Sequence, residues 1–292
     1  MKRPAVAALL AVILTAGLLL AQQELSPPVN QDRPISSARL NEILSNDDGA
    51  DPNFLGNYED SKSIVQDKKT SNQFVFVRLI YNGRIQIQPH YAKNWYTDSP
   101  KADKQLIWAL RRLTNLDVAE HERAIAIPNP DLFKYPFLYT SEPGQMVLTD
   151  KDAGIMREYL NRGGFWMLDD FWGSFEWANM EAEMKKVLPD AEIRDIPLDH
   201  PIFNEFYKVD RLKQTPSIAY LINPGHITFE QDGFVPQCKG IWDKEGRLAV
   251  VINHNTDLGD AYQWMDIPEY PYEFSSYAYR VAVNTIVYAL SH

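Results

Sequence analysis

The sequence predicts an α/β domain built on a mainly parallel sheet with helices on both faces. Three observations carry this reading. Short apolar runs of strand length alternate, over residues 73–292, with stretches whose apolar residues recur at helical spacing. The first run, FVFVRLIY at 74–81, is apolar on both alternating faces except at Arg78, as a strand covered on both sides must be. Polar residues crowd directly after two of the later runs, at the strand ends where open sheets of this kind hold ligands.

Taken in order, residues 1–21 read as a secretory signal peptide. Met1-Lys2-Arg3 precedes an apolar run ending in the small residue Ala21, and no Cys follows it to carry a lipid. This places the folded part in the periplasm or outside the cell, with a membrane contact only if the segment stays uncut. Residues 22–72, rich in Pro, Ser, Asn, Asp and Gln, read as a linker or loosely ordered extension with one short amphipathic stretch at 37–44. The folded domain follows as a single unit, 73–292.

Within it, helices are expected at 101–113, 149–162, 174–188 and 277–290, and further strands at 137–140, 165–168, 218–222 and 248–252. Thr149 with Asp152 makes a capping box, and Gly163-Gly164 closes that helix. Ser174 is the expected cap of the next helix, which Pro189 stops. The only cysteine, Cys238, precludes an intramolecular disulfide and reads as a small buried thiol at the start of a strand.

Charge narrows the partners. Of the 292 residues, 29 are Lys or Arg and 39 Asp or Glu, a net charge of −10 with no basic block longer than a pair such as Lys185-Lys186. Phosphate-tracking surfaces need clustered cations, so nucleic acid is excluded as a partner, as is a membrane surface bound through a polybasic face.

The acidic excess gathers at the strand ends. After FWML (165–168) come Asp169, Asp170 and Trp172; after LAVVI (248–252) come His254, Asn255, Asp257 and Asp260. Adjacent carboxylates repel, so one of Asp169 and Asp170 should hold its proton, which suits acid/base work or metal ligation. His254, Asp257 and Asp260 offer ligands for a divalent cation, although their spacing matches neither an EF-hand nor a His-Glu-x-x-His helix. His200, in the loop LDHPIF, is a further base candidate. Trp172, Trp177, Trp242, Tyr262 and Trp264 could stack on a sugar ring. The structural alternative for each is ordinary: carboxylates near helix starts, Asn and Asp in self-bonded turns, a histidine bonded to a carbonyl, aromatic side chains in the core. No G-x-S-x-G elbow and no glycine-rich phosphate loop is present.

The segments FVFVRLIY, FLYTSEPGQMVLTDKDAGIMREYLNRGGFWMLDD (137–170), PLDHPIF (197–203), HNTDLGDA (254–261) and NTIVYALSH (284–292) together resemble the bacterial family called domain of unknown function 4159. The resemblance covers 74–292. It implies a three-layer sandwich similar to flavodoxin and to class I glutamine amidotransferases, and it implies no established activity. In amidotransferase-like folds a catalytic Cys sits at an elbow after a central strand. If FWMLDDFWGSFEW is that strand, elbow and helix, no Cys stands there, and glutaminase chemistry is not expected.

Three functions follow as expectations. The first is an exported protein binding a polar small molecule, a carbohydrate among the candidates, at the strand-end cleft. Second is a metal-assisted hydrolase using the Asp and His cluster, with a divalent ion as its cofactor. The third is an interaction module of the cell envelope.

Overall fold

The computed structural model describes residues 34–45, 73–83 and 95–292. The expected signal segment, 1–21, lies outside these residues, as does most of 22–72.

The elements are α1 (Ser37–Ser45), β1 (Val77–Ile80), β2 (Asn82–Gly83), α2 (Lys101–Leu113), β3 (Arg123–Ala126), β4 (Phe137–Ser141), β5 (Met146–Val147), α3 (Asp150–Asn161), β6 (Phe165–Asp169), α4 (Gly173–Val187), β7 (Arg194–Asp195), β8 (Gln237–Trp242), β9 (Leu248–His254), α5 (Leu258–Gln263) and α6 (Tyr272–Ser291). Seven strands form one sheet in the order β3-β1-β4-β6-β9-β8-β7. Its first five strands are mutually parallel, and the β8–β9 and β7–β8 pairs are antiparallel. Strands β2 and β5 pair separately.

Side-chain alternation divides the core into two layers. Phe137, Tyr139, Phe165 and Met167 face Leu106 and Leu110 of α2 and Val283 and Ile286 of α6. Leu138, Trp166 and Leu168 face Met156 of α3 and Met180 and Met184 of α4. Because successive strand residues point to opposite faces, both sets must be apolar, which is why β4 and β6 read as unbroken apolar runs. The indole of Trp166 is satisfied inside the core by donating to Thr140 Oγ1 at 2.8 Å.

Arg78 is the polar residue of the first run, and it is fully buried. Its guanidinium donates to Asp103 Oδ2 at 3.0 Å and Oδ1 at 2.5 Å, and to the carbonyls of Trp95 and Thr97 at 3.0 and 2.7 Å. Burial opposes its charge, but attraction to Asp103 outweighs it and holds the group above its ordinary range. A strand thereby grips the segment that leads into α2. Thr149 and Asp152 form the capping box of α3, each backbone N–H donating to the other's side chain at 3.1 Å.

Three expectations are corrected. Residues 218–222 are not a strand: Ile218–Leu221 is a 3-10 turn, because the Ile218 N–H donates to Asp260 Oδ2 at 2.8 Å rather than to a ladder. Ser174 does not cap α4. The N-cap is Trp172 without a side-chain cap; its N–H donates to Glu176 Oε2 in the first turn, and the next two N–H groups are taken by distant residues, Asn255 Oδ1 for Gly173 and Asp232 Oδ1 for Ser174. Helix α6 starts five residues before the expected 277, after Pro271, because buried Phe274 and Ser275 extend its inner face. Within the stretch read as a linker, α1 packs Ile43 into the core, and Arg39 bonds Glu269 at 2.8 Å.

Candidate functional site

The parallel strands end on one edge; the segments that follow β6 and β9 start there, and the 95–100 segment that leads into α2 approaches it. Three carboxylates from these segments converge. Ligand oxygens of Asp98, Asp170 and Asp257 all lie within 4.8 Å of one another. Asp98 stands in the segment held by Arg78, Asp170 in the turn between β6 and α4, and Asp257 at the N-cap of α5, where it accepts from the Asp260 N–H at 2.6 Å.

Local backbone builds this arrangement. Asp98, Glu142, Asp170 and Asn255 all have positive φ (65°, 49°, 59° and 59°) without being glycine. Such conformations each cost on the order of 1–3 kcal/mol and are held by surrounding contacts. At this turn the Asp170 carboxylate accepts from Ser141 Oγ and from the Trp172 indole, each at 3.3 Å. Gly259 makes room for the third arm: a Cβ there would stand 2.2 Å from Asp98 Oδ2.

Burial and mutual repulsion set the electrostatics. Desolvation, with the charges of Asp98, Glu142, Glu230 and Asp169, holds Asp170 well above the usual carboxylate range. Desolvation followed by Asp170 and Asp260 does the same for Asp257. At 4.8 Å each ionised pair repels by about 3.5 kcal/mol at an effective dielectric of about 20. A cluster of this kind keeps protons at neutral pH or shares its charge with a cationic or hydroxyl-bearing ligand.

Asp169 lies beneath the cluster with its side chain fully buried. Oδ2 accepts from Tyr139 Oη at 2.9 Å and from the Leu258 N–H at 3.2 Å, and among the described residues no hydrogen bond reaches Oδ1. Desolvation pushes its pKa up to about 7, against hydrogen bonds that pull it down.

Other candidates lie elsewhere. His254 sits on the opposite face of the sheet from Asp169, since its neighbours along β9 alternate, and its ring packs on Phe171 and Trp177 with Nε2 3.1 Å from Gly173 O. Burial lowers its pKa to about 4. Asp260 does not join the cluster: its carboxylate accepts from Ile218 N–H and, at 2.5 Å, from the Trp264 indole. The grouping of His254, Asp257 and Asp260 as metal ligands is therefore dispersed, with Asp257 alone at the cluster. Asn255 is a staple, accepting from Gly173 N–H and donating to Val235 O at 2.8 Å. His200 caps the 3-10 turn Pro201–Phe203, its Nδ1 accepting from Ile202 N–H at 3.2 Å, and its ring packs at a tilt against Tyr288. Trp172, Tyr262 and Trp264 are buried, and Trp242 is half-buried beneath Arg194.

The sequence does not mark Asp98. It precedes a helix, where an acidic residue is unremarkable, and only its position in the connection after a parallel strand marks it out.

A family model described as domain of unknown function, DUF4159, matches residues 75–290. No curated protein matches the chain.

Proposed function

The chain belongs to the DUF4159 family, and from that premise we propose that it is an exported binding protein whose strand-end carboxylates hold a polar small molecule. The observation that carries this reading is the convergence of Asp98, Asp170 and Asp257 within 4.8 Å. Buried carboxylates that retain protons both donate to and accept from hydroxyl groups, which suits a carbohydrate or other polyol. Numbered along the chain, the parallel strands run 2-1-3-4-5, the order of flavodoxin-like sheets, and the cluster lies at the strand ends near the point where that order reverses. Four strained residues around one edge are a further support.

Asp170 occupies the turn between a central strand and its helix, where amidotransferase-like folds carry a cysteine. Cys238 lies inside β8, buried, with its thiol pushed up to about 12 by desolvation. We therefore read the site as one without a thiol nucleophile.

A second reading, metal-assisted hydrolysis, is favoured by the same spacing, because hard cations take several carboxylate oxygens at about 2.3–2.6 Å. One experiment separates the two. Thermal unfolding is followed with neutral sugars and, separately, with Ca²⁺, Mg²⁺ and Mn²⁺, for wild type and Asp257→Asn. Stabilisation by a sugar without metal, absent in the variant, is the expected result. Stabilisation by an ion alone, reversed by chelation, would transfer the site to the metal reading. Flat responses to both would remove the carboxylate site altogether.

A further inference from the structure

A cavity of about 290 Å³ lies between the first turns of α6 and residues 208–213. Four cations line it, Lys208, Arg211, Lys213 and Arg280, against two acids, Asp210 and Glu273. Lys213 is paired with Glu273. Among the described residues, Lys208, Arg211 and Arg280 have no ion pair or hydrogen bond, and all three are exposed. Glu273, Ser276, Tyr277 and Arg280 fall at helical spacing on one stripe of α6, so the cavity has a rigid wall with Arg280 at one end.

This concentration is not a sample of a basic surface. The chain carries a net charge of −10, and its mean field repels anions. Unpaired cations gathered on one concave site reverse that field locally. The cavity also abuts the positive end of a 20-residue helix. Arginine forks bind oxyanions bidentately, and cations reaching in from two separate elements suit a tetrahedral group, whose oxygens point in several directions, better than a planar carboxylate.

We propose that this cavity is a binding site for a small phosphorylated molecule, held by Arg211 and Arg280 with Lys208 closing over it. The site shares no residue with the strand-end cluster and does not depend on the function proposed for it.

The test uses the purified full chain and pyrophosphate as probe, by isothermal titration calorimetry at low and at physiological salt. Saturable binding at one site is expected, weakened on the order of tenfold by Arg280→Gln and by Arg211→Gln. Lys244→Gln, an exposed cation outside the cavity, should leave it unchanged. All three variants should melt with wild type, since none of these side chains is held by another. No heat with pyrophosphate, or equal weakening by Lys244→Gln, would overturn the proposal. Citrate binding more tightly than pyrophosphate would overturn the phosphoryl assignment. Co-sedimentation with phosphatidylglycerol vesicles that pyrophosphate does not compete away, and that Arg280→Gln abolishes, would assign the cavity to a lipid surface and overturn the small-molecule reading.

Discussion

Replacing Asp169 with Asn should reverse the sign of its effect on stability between acid and alkaline pH. The carboxyl is fully buried and its pKa stands at about 7, against an ordinary value of 3.8. The folded state thus keeps a proton that the unfolded chain releases. The stability this contributes is whole below about pH 4 and is lost as pH rises through about 7. A shift of this size corresponds to about 4 kcal/mol. Asn cannot ionise and escapes that loss. Its amide, however, puts a donor near where Asp169 Oδ1 has no partner, and a buried unpaired donor costs about 1–3 kcal/mol. The variant should therefore be less stable than wild type by about 1–3 kcal/mol at pH 4 and more stable by about 1–3 kcal/mol at pH 8. Urea unfolding followed by tryptophan fluorescence across that range, extrapolated to water, measures the difference. Two stability curves that run parallel, without crossing, would refute both the raised pKa and the burial that causes it.

Arg78→Met leaves Asp103 charged and buried without its partner, and should destabilise by about 3–5 kcal/mol, whereas Arg78→Met with Asp103→Leu should recover most of the loss. Urea midpoints of the two variants decide this, and a single variant as stable as wild type would show that the ion pair does not anchor the segment bearing Asp98. Cys238 should resist a disulfide exchange reagent at pH 8 in the native protein and react fully in urea, because its thiol is buried with a pKa of about 12. The imidazole of His254 should remain neutral on acidification to near pH 4, as read from its ring nitrogen shifts. Its depressed pKa means that it supports the fold above about pH 6.5 and withdraws that support as pH falls toward about 4.

Much of the fold was legible from the residues. Strands that are buried on both faces must be apolar throughout, so β4, β6 and β9 stood out, and helices with a cap signal and one apolar stripe, such as α3, could be bounded to within a residue or two. What cannot be read locally is structure that depends on a neighbour. Strand β8 is legible only at its entry, Cys238, because it pairs antiparallel at the end of the parallel block and mixes polar with apolar residues. The 218–222 segment looks like a strand by composition but finds its hydrogen bond at Asp260. The start of α4 is satisfied by Asn255 and Asp232, residues 58 or more positions away, where local reading offers Ser174.

The site divides in the same way. Sequence alone located the acidic excess at the ends of β6 and β9, because a polar run after a buried strand is a local pattern. It could not sort the members of that excess, since period-two alternation turns His254 to one face of the sheet and Asp169 to the other, and a short helix turns Asp260 inward while its N-cap Asp257 faces the cluster. Nor could it supply Asp98, which a buried arginine on β1 and the missing side chain of Gly259 bring to Asp170 from 72 positions away. Periodicity is written along the chain and can be read there. Which carboxylates share a charge is a matter of distance in space, and only the packed sheet decides it.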